Sequence, residues 1–564
     1  MSTATAPVRS AHTGAEASQP SSLAVMVALL RQRVRRDRWQ LLVWLVVIGV
    51  LAAFSAASIQ QTYADAAGRA ELIRLALANP AILLLRGLPR GAGLGALTFF
   101  EIYTFLALVA GLMNTFLAVR HSRAEEESGR AELIASTPAG RRLPTGATVV
   151  LAVVTNILLT LVVALGFIAA GLPAAGSFVA GAATGGAGLA FFGVGLLLAQ
   201  IFSTSRAANG YASAVVVLAY LLRGVGDAIG TPYGDGLRLR SGWPTWLSPI
   251  GWGEQTAAYT ADDLVPVLLQ LALAAALVVA VFGLQAVRDT GAGVVPERAA
   301  RATASPLLSG MGGLAWRLQW PVILGWTIGG ALTGVLAGAL GNVVNSSFAN
   351  NPDLSGIRDA LSHMGSGGSG PLAQLFISAI FSVVGVLAAA CAVQAVIRLR
   401  QEEASGTAET VVATPVSRLR WLFAFVVVGV VAVVAVLLAA ALASGLSALA
   451  AGEHASTMGA SFAAAAAQFP VAVVYLGVLT LLFVVLPSWT VPVGWTALGL
   501  GAFVGIFGVL VKLPDGIRHL SPFADAPVVV GDVDWTGGYW MLGITIAALA
   551  AAAALIRRRD FAIG

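Results

Sequence analysis

Twelve long apolar runs, nearly free of charge and separated by polar segments of which two outer ones, 61–94 and 230–263, are long, constrain this chain more than anything else in its sequence. They fall at 41–60, 95–119, 145–171, 177–202, 211–229 and 264–287, and again at 320–344, 371–397, 420–448, 460–486, 489–511 and 538–556. At 1.5 Å per residue each reaches across the ~30 Å of a bilayer's hydrocarbon. The runs are continuous rather than alternating, so they predict helices and not barrel strands. Only 11% of the 564 residues are charged, and mean hydropathy is +0.85. A soluble domain carries about 25% charge. The fold class is therefore all-α: a polytopic protein with about twelve transmembrane helices, for which the lipid bilayer is the first partner.

The charges that remain sort by side. With the N-terminus inside, 23 of the 33 basic residues fall on the inner side and 10 on the outer. This arginine bias predicts an N-in, C-in topology. The arginines flank apolar runs and form no nucleic-acid-reading motif, so no nucleic acid is expected despite the net charge of +6. Residues 1–22 read as a disordered polar tail. Leu23–Arg38 reads as a basic amphipathic helix on the cytoplasmic membrane surface, and its arginines follow the apolar patch, the reverse of a secretory signal. Ala70–Leu85 reads as a surface helix, and Trp243, Trp246 and Trp252 as interface anchors. Cys391 is the only cysteine, and the five histidines lack metal-ligand spacing, so no metal site is expected.

Two short segments between spans repeat each other. Arg123–Arg141 (RAEEESGRAELIASTPAGR) matches Arg400–Arg418 (RQEEASGTAETVVATPVSR) at a shift of 277 residues. The matched positions include Arg123/Arg400, Glu125/Glu402, Glu126/Glu403, Gly129/Gly406, Glu132/Glu409 and Pro138/Pro415. Arg288-Asp289 after the sixth span returns as Arg559-Asp560 after the twelfth, and Leu247-Ser248-Pro249 returns as Leu520-Ser521-Pro522. The chain thus reads as two tandem, parallel six-helix halves: 23–293 with its N-terminal amphipathic helix, a cytoplasmic linker 294–313, and 314–564. The halves are expected to face each other around a central pathway.

If each repeated segment is one helix, Glu125, Gly129 and Glu132 share a face, as do Glu402, Gly406 and Glu409. Pro138 and Pro415 would stop it. The result is a short acidic helix with a glycine permitting close approach: a docking element for a basic groove on a cytosolic partner. The plainer reading is a solvated loop that pairs its own charges, Glu126 with Arg130 at i, i+4. Thr407 replaces Arg130 in the second copy while Glu403 remains, so recurrence marks acids rather than pairs.

The element EE-x-S-G-x-A-E followed by T-P, present in both halves, resembles permease subunits of ABC-2-type exporters, most of all the actinobacterial polyketide-antibiotic or tetronasin-type group. Trp246–Trp252 and Tyr220–Arg223 are similar to that group too, whereas Ser521-Pro522-Phe523-Ala524 lacks the flanking tryptophans. The resemblance covers nearly the whole chain beyond residue 22. It implies export of hydrophobic or amphiphilic, antibiotic- or drug-like compounds across a bacterial plasma membrane. It also implies a separate ATPase, usually a homodimer, carrying the ATP and Mg, with no cofactor or catalytic residue in this chain. The coupling residues would be Glu125, Glu126, Gly129, Glu132, Glu402, Glu403, Gly406 and Glu409. Independently, Lys512 is the only lysine and is followed by Leu513, so no phosphate-binding loop can be built.

Three ionisable residues lie in or at the ends of spans. Glu101 is a functional candidate by its depth, or else an interface acid partnered by an arginine; its counterpart is Ser378. Arg223 and Asp227, one turn apart, read as a structural ion pair rather than a proton relay. Asn114, Asn156 and Gln200 read as interhelical hydrogen bonds, and the glycine-rich run 180–194 as close helix packing. The rival function is a proton-coupled drug antiporter, which needs buried acids within its spans. A non-transporting scaffold has no reason to keep two acidic elements.

Overall fold

The computed structural model describes residues 22–78, 80–136, 140, 142–289, 291–295, 305, 308–348, 371–508 and 513–559. The tail 1–21, Pro138 and most of the 294–313 linker lie outside the described residues. Among the described residues, twelve helices are long and apolar enough to cross a membrane. The chain divides into two compact units, Met1–Ala299 and Ala300–Gly564.

The first unit opens with α1 (Ser22–Thr62), which corrects the expected surface helix. Leu23–Arg38 is continuous with the first span because no proline or glycine interrupts the chain between them. At 41 residues it runs for about 60 Å, twice the hydrocarbon thickness. Arg33 and Asp37 are buried within the unit. Arg33 donates to Pro144 O (2.8 Å) and Thr148 Oγ1 (2.7 Å). Asp37 meets Arg120 at 2.7 Å and His121 at 2.5 Å.

After α1 come α2 (Ala66–Ala78) and α3 (Pro80–Arg86), two helices where one was expected, the second starting at Pro80. Proline suits a first helical turn but not a helix interior. The spans α4 (Leu94–Arg120), α7 (Arg142–Ala169), α8 (Ala174–Ile201), α9 (Ser205–Ala228) and α11 (Val265–Val287) complete the bundle. Between α4 and α7 sit α5 (Arg123–Glu127) and α6 (Arg130–Ala135). A β-hairpin (Thr231–Tyr233 with Arg238–Arg240) and α10 (Pro249–Glu254) lie between α9 and α11.

The glycine-rich α8 is the centre of this unit, packed on α4, α7 and α11. Gly181 and Gly185 rest against the α7 backbone at Thr160 and Asn156, where a side chain would not fit. Asn114 and Asn156 exchange amide hydrogen bonds at 3.0 and 2.6 Å, as the sequence predicts. Gln200 is buried with neither amide atom bonded among the described residues. The opposite face of α7 is apolar and exposed at Val154, Ile157 and Leu165, as lipid contact requires.

The second unit runs α12 (Met311–Phe348), α13 (Leu372–Ala404), α14 (Thr407–Val412), α15 (Arg418–Ala450), α16 (Ser456–Val485), α17 (Thr490–Ala502), α18 (Asp515–Arg518) and α19 (Thr536–Leu555). A π-helical turn, Phe503–Phe507, continues α17. Its tightest contact is the seam of α12 on α15. Gly330, Gly334 and Gly338 repeat every four residues and lie against the backbone of Val436, Ala440 and Ser444. Small residues in that spacing let two membrane helices approach backbone to backbone.

Candidate functional site

The repeated element lies where two helices meet at a left-handed glycine. In the first unit, α5 ends at Glu127, Gly129 takes φ +72°, and α6 begins at Arg130. In the second, α13 carries on through Glu402 and Glu403, Gly406 takes φ +75°, and α14 begins at Thr407. Glycine enters this conformation without the penalty that a Cβ brings. This corrects the single acidic helix: the break removes the common face proposed for Glu125, Gly129 and Glu132, and for Glu402, Gly406 and Glu409. It also changes the glycine's role. A Cβ at Gly129 or Gly406 would meet nothing within 4 Å, so the residue is needed for backbone conformation and not for close approach.

The acids divide into three kinds. Glu126 and Glu403 face inward. Glu126 accepts from Arg123 (2.8 Å), from Arg288 (2.5 Å) and from the Gly291 amide (3.2 Å). Glu403 is 2% exposed, pairs with Arg559 and lies 3.9 Å from Arg400. The two units therefore build the same arrangement, in which an i, i+3 arginine and an arginine just beyond the unit's last span grip one glutamate. Arg123 is wholly buried and also donates to the carbonyls of Ala199 (2.9 Å), Gly291 (3.1 Å) and Ala292 (3.1 Å). The expected Glu126–Arg130 pair does not form; Arg130 meets Glu125 instead, at 3.4 Å.

Glu125 and Glu402 are half-buried and held by neighbours. Glu125 binds Arg36 of α1 at 2.5 Å, and Glu402 binds Arg398 and the Thr407 hydroxyl (2.6 Å). Among the described residues of the two elements, Glu132 and Glu409 alone stand free of such pairs and exposed, each in the first turn after the glycine. Beside Glu132, Leu133 is 72% exposed, a large apolar side chain offered at the end expected to be cytoplasmic. Residues 29–36 of α1 and 125–134 enclose a 220 Å³ groove next to it.

A second polar cluster occupies the opposite end of the first unit. Arg223 is fully buried, 3.3 Å from Asp227 and 3.5 Å from Glu254. It donates to the carbonyls of Leu83 (3.3 Å) and Leu84 (3.1 Å), while the Tyr220 hydroxyl donates to Leu85 O (2.5 Å). These groups satisfy the carbonyl end of α3, where cations are favoured. Thr245 donates to Asp227 at 3.1 Å. The expected Arg223–Asp227 pair is present, but the sequence missed Glu254, which reads there as part of an outer loop. Burial and the neighbouring Asp227 push the Glu254 carboxyl well above the usual range. Glu101 pairs with Arg86, the arginine partner that was one of its two readings. Arg86 in turn has its pKa lowered by burial.

Comparison with known proteins places the chain. Residues 308–557 match the family described as the C-terminal domain of the multidrug efflux system permease Rv1217c. Over 538 residues the chain is 34% identical to the multidrug efflux system permease protein Rv1217c of Mycobacterium tuberculosis (strain ATCC 25618 / H37Rv), covering 95% of each. With its twelve apolar helices, the chain is a multi-pass plasma-membrane protein that belongs to the multidrug efflux permease family.

Proposed function

We propose that this chain is the membrane-spanning subunit of an ATP-driven, ABC-2-type exporter that moves hydrophobic or amphiphilic drug-like compounds out of the cell. A separate cytosolic ATPase, working as a homodimer, supplies ATP and Mg²⁺ chemistry. The observation that carries this reading is the glycine-broken element, which in each unit presents one exposed acid, Glu132 or Glu409, on a short helix clamped from behind. Two matching elements on one chain suit two matching grooves on a two-fold partner. Of the eight residues assigned to coupling, Glu132 and Glu409 make the contact. Glu125, Glu126, Glu402 and Glu403 hold the element in place, and Gly129 and Gly406 set its turn. The N-in topology puts both elements in the cytosol. The closer likeness to the tetronasin-type group rests on this element and the Trp246–Trp252 segment.

A proton-coupled antiporter has less support, because Glu101 and Asp227 are each tied to an arginine. The test is copurification of a cytosolic ABC ATPase with this chain. A Glu132→Ala/Glu409→Ala double variant should still insert yet lose ATPase binding and drug-stimulated export. Wild-type binding and export by that variant would refute the docking assignment. Robust ATP hydrolysis by the chain purified alone would refute the subunit assignment.

A further inference from the structure

The second unit holds a 470 Å³ cavity between α16, α17 and the turn Ile517–Pro522. Its origin lies in the sequence of α17. That helix contacts its neighbours closely at two of its glycines: Gly494 lies against Leu479 and Val393, and Gly501 lies against the Tyr475 hydroxyl. Beside and between these points the bulkier Val493, Ala497 and Leu500 stand along the cavity wall. The π-helical turn Phe503–Phe507 then offsets the end of the helix, a distortion that often marks functional sites.

Among the described residues the lining is apolar apart from two hydroxyls and contains no Asp, Glu, Lys, Arg or His. Ser521 is committed, donating to Gly501 O at 2.7 Å. The Tyr475 hydroxyl lines the cavity without a hydrogen-bond partner among the described residues. The phenol is half-buried and faces an apolar wall, so a ligand that offers an acceptor gains a hydrogen bond there. A volume of this size suits a drug-sized compound.

We infer that this cavity binds the exported compound, and that it selects neutral, apolar molecules carrying a hydrogen-bond acceptor placed against Tyr475. The inference rests on the efflux-permease reading and adds to it the site and the charge class. An acyl chain would fill the apolar wall but leave the phenol unbonded. A permanent cation would enter with no carboxylate to meet it, at a cost an uncharged ligand avoids.

The probe is 4-ethynylbenzophenone, neutral and with a ketone acceptor, compared with the (4-benzoylbenzyl)trimethylammonium cation. Each is photolysed with the full-length chain in lipid nanodiscs, and labelled peptides are mapped. The neutral probe should label residues 474–482 and 493–504 saturably, and the cation should not. Tyr475→Phe should raise the half-saturating concentration about fivefold, the loss of one neutral hydrogen bond. Ala497→Trp should abolish labelling by filling the space. Because Tyr475→Phe is nearly isosteric, it keeps the test meaningful if Ala497→Trp folds poorly. Labelling elsewhere, equal labelling by the cation, or an unchanged Tyr475→Phe would overturn the assignment, as would displacement of the probe by phospholipid acyl chains at equal potency in both proteins. Export of the neutral probe from cells, measured on wild type, tests the efflux reading separately. Export that continues unchanged in Ala497→Trp rejects the cavity and leaves that reading standing.

Discussion

Replacing Glu126 with alanine separates the clamp from the contact. The carboxylate is 11% exposed and faces Arg123, 0% exposed, and Arg288, 7% exposed. Arg123 keeps its three backbone carbonyls, so its hydrogen bonds largely survive; what disappears is the charge that both guanidiniums share. Breaking a buried pair by removing one partner costs about 3–5 kcal/mol. Since the carboxylate is not wholly enclosed, we expect the lower end, about 3 kcal/mol. Glu403→Ala should cost a similar amount, because Glu403 is enclosed by Arg559 and Arg400 in the same way. Glu132→Ala removes an exposed acid and should change stability by no more than about 0.5 kcal/mol. Thermal unfolding of the purified variants, followed by intrinsic fluorescence, should rank Glu126→Ala and Glu403→Ala well below wild type and leave Glu132→Ala beside it. ATPase pull-down should rank Glu132→Ala as impaired at a temperature where it is fully folded. If Glu126→Ala melts with wild type, the inward clamp is wrong.

Three further outcomes follow from particular contacts. Gly406→Ala should destabilise by about 1–2 kcal/mol through its left-handed conformation alone, and Gly406→Asn should recover part of that loss; equal melting of all three proteins would refute the conformational role. Gly334→Leu should prevent accumulation of folded protein, because a Cβ there would overlap Ala440 O, whereas Gly325→Leu on the same helix, with open space beside it, should express normally. Burial and Asp227 raise Glu254 above its unfolded value, so the stability tied to its proton is present below about pH 4.5 and is lost as pH rises. Stability should therefore fall as pH rises above about 5 more steeply in wild type than in Glu254→Gln; parallel profiles would contradict the raised Glu254 carboxyl.

The spans were legible because a bilayer demands both length and apolarity, and each of the twelve expected runs lies mostly within an observed helix. The surface segment was misread at Leu23–Arg38. Its arginines suggest a solvated helix, but Arg33 and Asp37 find partners on α7 and α4, contacts that local periodicity cannot register. The shape of the repeated element was not legible. In a helical frame Gly129 is equally consistent with close approach or a break, and only the backbone angle decides. The recurrence of Arg288 as Arg559 was visible in the sequence as an echo, and the structure shows what it answers: Glu126 and Glu403. Glu254 gave little signal, since W-G-E-Q beside tryptophans looks like an exposed loop, and its burial follows from α10 packing against α8, α9 and α11.

The glycine seam of α12 on α15 limits how the second unit can move. Helices that touch through side chains can slide or roll as rotamers readjust, but these two meet through main chain at three successive turns. Main-chain atoms in contact have no rotamers to exchange, so shear along the seam raises steric energy at once. α12 and α15 must therefore travel as one rigid rod. Any rearrangement inside this unit has to be taken up by helices held through bulkier and fewer contacts, and α17, with its π turn, is the one built to give way.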